Sequence, residues 1–302
     1  MSSVHTTAYQ RLVAAAAGLK VPHAVHQVAT APPQDPKPGQ IWRAVWEDTI
    51  QLLLITAASD DDTMRAVPAS FERYADTGTL FLPAQATTLE QPLALWWGLE
   101  ARLPWCVLDR QVSELTPRPD ILTSRTLADT VTDTRWGSDA IPSAAANEYR
   151  AVLAEGLEVL ASAQWAPQGS GGLSQLFRDH AITAPQLAAE LKLPAPQALA
   201  VWRGQQPLTA HQAATLAERL DQPAGYLLAA NPALPPAVVH ELNRPLRRTQ
   251  VKELAAQYNE TERNARLRAA YGIYTLAARD DDRTQPNWTA RTDRYFELRL
   301  GE

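Results

Sequence analysis

The spacing of apolar and polar residues divides the chain into a strand-rich first part and a helical second part. Between Gly39 and about Leu115, short apolar runs alternate with Asp, Gly, Pro and Ser clusters, which is typical of strands joined by turns. From Ser143 onward, apolar residues recur every three or four positions, which favours amphipathic helices. The predicted fold class is therefore α+β. Strands are predicted at Gln40–Trp46, Ile50–Ala57, Met64–Pro68, Thr79–Pro83, Leu95–Leu99 and Trp105–Leu108.

Breaks in this pattern predict the domain boundaries. Pro32–Gly39 is a proline-rich break, and Gln168–Gly172 (QGSGG) has the composition of a flexible linker. Longer helices are predicted at Ser143–Ala163, at about Thr249–Arg279 and at Trp288–Leu300. The predicted organisation is an N-terminal helical arm (1–38), a small β-barrel-like domain (39–120), a connecting helical segment (121–167), the linker (168–172), an all-α domain (173–230) and a C-terminal helical region (231–302).

The pattern after the linker predicts five short helices. Thr183 and Thr209 stand where the second and fourth helices need N-caps, and Gly204 stands where the third helix ends. Leu193 is predicted to fill the turn between the second and third helices. The helices are predicted at Leu173 to about His180, Pro185–Leu191, about Ala195–Arg203, Ala210–Leu220 and Ala224–Ala229.

This arrangement resembles the Cro/repressor (XRE) type helix-turn-helix family over residues 173–230. The resemblance rests on Leu176, Ile182-Thr183, Gln186-Leu187-Ala188, Leu191, Leu193, Val201-Trp202-Arg203-Gly204, Leu208-Thr209, Ala213, Leu216-Ala217, Leu220 and Leu227-Leu228. It implies a domain that binds double-stranded DNA, with the third helix in the major groove and the start of the second against the phosphates.

The resemblance also implies which residues contact DNA. Thr183 and Gln186 would meet the backbone and adjacent bases, and Gln197 would read adenine with two hydrogen bonds. Lys192, in the turn, and Arg203, which would reach phosphate, complete the predicted contacts within the domain. The third helix offers only one polar side chain near its start, whereas repressors usually present three or four. The interpretation without DNA is that the helix-turn-helix serves packing or protein interaction.

The distribution of charge confines any nucleic-acid surface to the second half of the chain. Residues 1–172 hold 12 Lys and Arg against 19 Asp and Glu, whereas residues 173–239 are balanced and 240–302 hold 12 against 10. A basic cluster directly after the five helices would add phosphate-neutralising charge, the alternative being solvated arginines at a helix start. This cluster contains Arg244, Arg247, Arg248 and Lys252, of which the three arginines are predicted DNA contacts.

The strand-rich part is similar to the small barrel of the MazF/PemK endoribonuclease toxins. The similarity rests on Pro38–Trp42, Gln51–Thr56, Val67–Ser70 and Leu93–Leu115 in that order, and it places Ser70 at a position that serves RNA cleavage in the family. The family's arginine is replaced here by Asp48-Thr49-Ile50. Without a cation to stabilise the developing negative charge, Ser70 is a poor catalyst. The sequence therefore predicts a non-catalytic barrel that receives a signal or docks a partner.

Other chemistry is expected to be absent. The sole cysteine, Cys106, excludes an internal disulfide framework and a cysteine-rich zinc site, and we predict no cofactor, no metal and no catalytic residue. No apolar run reaches the roughly 18–20 residues that span a bilayer, so a soluble cytoplasmic protein without membrane contact is expected.

The leading hypothesis is a homodimeric transcriptional regulator that is not an enzyme. One alternative is an antitoxin-like or scaffold factor whose helix-turn-helix does not bind DNA. A further alternative is a MazF-like ribonuclease.

Overall fold

Eight strands form one sheet in the first half of the chain, and the computed structural model is mixed α+β, as predicted. The strand order is β7-β1-β2-β3-β5-β4-β8, with β6 paired to β3. The structure describes residues 33–72, 74–119, 121–137, 143–166, 169, 171–204, 206–277 and 287–301. The strands are β1 (Gln40–Trp46), β2 (Thr49–Ala58), β3 (Thr63–Ser70), β4 (Thr79–Leu82), β5 (Leu93–Trp96), β6 (Ala101–Pro104), β7 (Leu108–Glu114) and β8 (Arg135–Trp136).

The sheet is open, so the small barrel-like domain predicted for residues 39–120 is a sheet that does not close. The two ends of the strand path, β7 and β8, do not pair with each other among the described residues. An isolated bridge from Thr87 to Leu115 and a few hydrogen bonds, such as Thr88 amide to Glu114 carbonyl at 3.2 Å, join the segment after β4 to the end of β7. Closure requires long, staggered strands, but β4 and β5 have four residues each and β8 has two. The short strands therefore cannot carry the hydrogen-bond ladder around to β7.

Among the residues that the structure describes, two helices accompany the sheet, and together they form the first of two compact units. These helices are α1 (Ser124–Thr130) and α2 (Ala144–Ala161), the second of which confirms the predicted helix at 143–163. The first unit contains the residues up to Leu103 together with Val107–Ala161. Most of the predicted arm at 1–38 lies outside the described residues.

The second unit, Pro104–Cys106 with Ser162 onward, is helical. The five helices predicted between residues 173 and 230 are confirmed to within about two residues at each end, because their start and stop signals are local. The helices are α3 (Leu173–Asp179), α4 (Ala184–Glu190), α5 (Ala195–Trp202), α6 (Ala210–Leu220), α7 (Ala224–Ala229), α8 (Pro236–Asn243), α9 (Arg248–Tyr258), α10 (Glu262–Ala277) and α11 (Trp288–Leu300).

The single long helix predicted at Thr249–Arg279 is wrong, because two helices, α9 and α10, occupy its place. Asn259 ends α9 in the left-handed region with a φ of 50°, a conformation that asparagine tolerates better than most residues. The hydroxyl of Thr261 then accepts a hydrogen bond from the Asn264 amide at 3.3 Å and starts α10.

The buried side chain of Asn231 links the end of the five-helix segment to the loop before α6. Asn231 is fully buried; its side chain accepts from the Leu208 amide at 2.8 Å and donates to the Leu208 carbonyl at 3.0 Å. Its own carbonyl accepts from the amide of Gly171, a residue of the predicted linker. Gln168 and Ser170 of that linker lie outside the described residues.

No helix among the described residues is long and apolar enough to cross a membrane.

Candidate nucleic-acid interface

The start of α4 carries two of the candidate DNA-binding residues, Thr183 and Gln186. They form a capping box, in which the Gln186 side-chain oxygen accepts from the Thr183 amide at 2.8 Å and the Thr183 hydroxyl accepts from the Gln186 amide at 3.4 Å. Both residues are exposed. The side-chain amide nitrogen of Gln186 makes no hydrogen bond to any described residue, so it can still donate to a ligand.

The turn into α5 presents a lysine to solvent. Lys192 is exposed and has a φ of 52°, which reverses the chain after α4. The Leu193 amide donates to the Ala188 carbonyl at 3.0 Å, and the Leu193 side chain packs against the core of the five helices, as predicted. The Leu193 side chain fixes the conformation of the turn, and the Lys192 side chain stays in solvent.

Helix α5 is anchored on its inner side and open at its start. Ala198 and Val201 are buried, and the Trp202 indole nitrogen donates to the Ile182 carbonyl at 2.6 Å. Gln197 lies exposed one turn earlier, and Arg203 is exposed at the C-cap. Neither side chain bonds to another described residue. Both remain available to a ligand on the outer side of the helix.

Two arginines of the basic cluster after the five helices are buried. Arg247 and Arg248 are buried, with relative exposures of 3% and 2%. The Arg247 Nε donates to Glu241 at 2.9 Å, and the Arg248 Nη2 donates to Glu262 at 2.9 Å. Buried guanidinium groups held by carboxylates cannot reach a phosphate, so the DNA contacts predicted for these two residues are withdrawn.

Arg244 is neither buried like Arg247 and Arg248 nor fully exposed. Its side chain is 24% exposed, and its Nη1 lies 3.3 Å from the Glu241 carboxylate. Glu241 thus has Arg244 and Arg247 as cationic neighbours, together with a hydrogen bond from the Thr289 hydroxyl at 3.1 Å. The cluster therefore joins α8, α9 and α11 within the second unit.

A cleft of about 850 Å³ adjoins the start of α5. It is lined by Gln197 and Val201 of α5, by residues 206–212 and by residues of α10 and α11. Gly272 on α10 leaves room for the Tyr295 ring, because a Cβ there would overlap that ring. The sequence predicted helices where α10 and α11 lie, but the spacing of their apolar residues did not indicate which face of each helix would lie next to α5.

The charged and phenolic groups of this cleft have distinct environments. Burial raises the pKa of the Tyr271 and Tyr295 phenols, so both keep their protons at neutral pH. The Glu260 carboxylate accepts from Arg268 at 2.8 and 3.1 Å and raises the pKa of that guanidinium. Arg299 lies over the Tyr295 ring at 6.0 Å.

Ser70, the candidate nucleophile of the first unit, is buried in the sheet. It is 3% exposed on β3, and its Oγ accepts from the Trp96 indole nitrogen at 3.2 Å. Thr49 and Ile50, which replace the toxin arginine, lie at the start of β2. The hydroxyl thus serves as a hydrogen-bond acceptor for a core tryptophan.

Purified protein is expected to leave single-stranded RNA intact over hours, because Ser70 is buried and lacks the cation of the toxin site. Gel analysis of a labelled RNA, with Ser70→Ala protein as the matched control, measures this. RNA cleavage by the unmodified chain that disappears in Ser70→Ala would establish a ribonuclease.

Among the described residues, no group of three or more His, Cys, Asp or Glu side chains is arranged to hold a metal ion. Comparison with protein-family models, with curated proteins and with solved structures gives no match to this chain.

Proposed function

We propose that the chain is a DNA-binding transcriptional regulator. The observation that carries the proposal is the set of exposed Lys192, Gln197 and Arg203 side chains, none bonded to another described residue, on the turn and the ends of α5. Basic and amide side chains at the start and end of a short exposed helix suit contact with phosphates and base edges. The helix-turn-helix framework that holds them has the bounds and caps expected of a Cro/repressor domain.

In this proposal the contacts have separate tasks. Gln197 reads a base edge through its side-chain amide, and Lys192 and Arg203 neutralise phosphates. Thr183 and Gln186 meet the sugar-phosphate backbone with the groups that their capping box leaves free. With one base-reading side chain per domain, specificity requires a homodimer on two half-sites, with DNA shape supplying the remainder.

The first unit then acts as a sensor or a docking domain for a protein partner in a cytoplasmic regulator. Buried Ser70 supports a role without catalysis. Exposed apolar side chains, among them Ile50 and Phe71, offer surface to a partner.

A second function, a scaffold or antitoxin-like interaction factor, is favoured by the cleft. Residues of α10 and α11 line the same cleft as Gln197, so a duplex that reaches this side chain must fit beside those helices. Burial of Arg247 and Arg248 also removes cationic charge from any DNA surface. The experiment below distinguishes the two functions.

Gln197→Ala is expected to weaken binding to the cognate site by about 1–3 kcal/mol and to leave binding to random DNA unchanged, because only a base contact carries sequence information. The cognate site comes from selection of genomic fragments with the purified chain, and affinities come from fluorescence anisotropy. Gln257→Ala is the matched control, since Gln257 is an exposed glutamine on α9, outside the five-helix segment.

Arg203→Ala serves as the contrasting variant. It is expected to weaken all duplexes alike and to reduce the slope of log affinity against log salt by about 1, whereas exposed Arg263→Ala on α10 changes neither. Failure to enrich any sequence at low salt would reject the regulator and favour the interaction factor.

A further inference from the structure

The cleft between α5 and the C-terminal helices combines features that no DNA contact requires. Its volume of about 850 Å³ lies within the range of small-molecule sites. Leu267, Leu276 and Leu298 give it an apolar wall, and Leu298 is half exposed. A wall of this kind stabilises an organic group when that group leaves water.

The charges that line the cleft leave one positive charge without a counter-ion. Glu260 is held by Arg268 through two hydrogen bonds, so these two charges offset each other. Arg299 is exposed and forms no ion pair with any described residue. Besides Glu260, Arg268 and the two tyrosines, His211 is the other titratable side chain of the lining. The Arg299 guanidinium lies 6.0 Å from the centre of the Tyr295 ring.

A phenol with an unused hydrogen-bond donor adjoins this cation. Tyr295 is 4% exposed, yet its hydroxyl makes no hydrogen bond with another described residue. Tyr271, the other phenol of the cleft, donates to the Pro232 carbonyl at 2.8 Å and is already satisfied. The Tyr295 hydroxyl is not one of the buried side-chain atoms that lack a partner, so it reaches the solvent of the cleft and can donate to an acceptor supplied by a ligand.

We propose that this cleft binds a small organic anion with one negative charge and an apolar body. The anionic group accepts hydrogen bonds from the Arg299 guanidinium and the Tyr295 hydroxyl, and the apolar body lies on Leu267, Leu276 and Leu298. Because Gln197 also lines the cleft, an occupant competes with DNA for this residue and acts as an effector. The effector role rests on the proposed function, whereas the binding site does not.

The binding site is tested with 8-anilino-1-naphthalenesulfonate, a fluorescent apolar monoanion, and with the neutral N-phenyl-1-naphthylamine. We expect saturable binding of the anionic dye at one molecule per chain. Arg299→Gln should weaken it about tenfold, since hydrogen bonds to a charged group are the stronger ones. The same variant should leave the neutral dye within about twofold.

Three further variants separate the contributions of the site. Tyr295→Phe should weaken the anionic dye about three- to tenfold, and Leu298→Ala should weaken both dyes. Arg294→Gln, an exposed arginine of α11 outside the lining, should change neither. Circular dichroism checks that each variant is folded. Binding that is not saturable, or equal anionic-dye affinity in the original chain and Arg299→Gln, would overturn the site.

The effector role is tested by repeating the anisotropy titration at saturating anionic dye. Affinity for the selected DNA should fall at least about tenfold in the original chain, and Arg299→Gln should need about tenfold more dye for the same effect. Unchanged DNA affinity at saturation would overturn the effector role while leaving the site intact. If no DNA is enriched, the effector role falls with the proposed function, but the dye titrations still decide the site.

Discussion

Arg247→Met is expected to lower the free energy of unfolding of the second unit by about 3–5 kcal/mol. Arg247 is 3% exposed, and it donates to Glu241 and to Asp293. Glu241 is itself buried, with 4% of its side chain exposed. Without the Arg247 guanidinium, the Glu241 carboxylate remains buried and has one cationic neighbour fewer. The loss therefore reflects an uncompensated buried charge more than the strength of the original pair.

The double variant Arg247→Met/Glu241→Leu separates these two effects. It should recover most of the lost stability, because replacing a whole buried pair by apolar residues is often neutral. Arg263→Met, at an exposed arginine of α10, is the control and should stay within about 0.5 kcal/mol. Urea denaturation combined with hydrogen exchange of α8 and α9 peptides gives the values. A single variant that costs less than the double one would contradict the buried pair.

The parts of the fold that the sequence predicted well depend on neighbouring residues. Thr183 and Thr209 cap helices through side chains that bond to amides three residues later, as Gln186 and Gln212 show. Gly204 ends α5 with a φ of 68°. Because each of these interactions lies within one turn of helix, a single sequence is enough to place them.

The errors in the strand-rich part of the chain have a non-local origin. Sheet closure depends on how strands of different lengths meet, and the register shift between Ile55 and Ala57 in β2 follows from pairing with β3. The predicted strand at Trp105–Leu108 is largely a 3-10 turn, Trp105–Val107, in which the Trp105 ring lies 6.0 Å from the tilted ring of His240, far along the chain. The alternation of apolar and polar residues carries no information about a partner so far along the chain.

The candidate site shows the same division between local and distant effects. Gln197 and Arg203 are exposed as predicted from their positions on one short helix. Arg247 and Arg248 counted as surface charge in the sequence, but Glu241 and Glu262 draw them into the interior. Charge composition indicates how many cations a segment has, whereas burial depends on carboxylates brought near by the fold. The cleft required α5, α10 and α11 to meet, and it had no signal in the sequence.

The second large effect is expected from Leu187→Ala, which should cost about 2–5 kcal/mol. Leu187 is fully buried in α4 and belongs to the core that includes Phe177 and Val201. Truncation removes apolar contacts and leaves a cavity between helices that the backbone can only partly fill. Hydrogen exchange of peptides within residues 173–230 measures the local loss of stability.

Leu298→Ala is the matched control, because it removes the same atoms from a leucine that is 50% exposed in the same unit. It should cost well under about 1 kcal/mol. At a temperature where both variants stay folded, Leu187→Ala should retain DNA affinity, since its side chain faces the core and the proposed DNA contacts lie on the opposite side of α4 and α5. Equal costs for the two leucines would contradict the five-helix core. Stability near that of the unmodified chain together with lost DNA affinity in Leu187→Ala would instead show that the DNA surface includes the inner side of α4, and the assignment of Gln197 and Arg203 would fall.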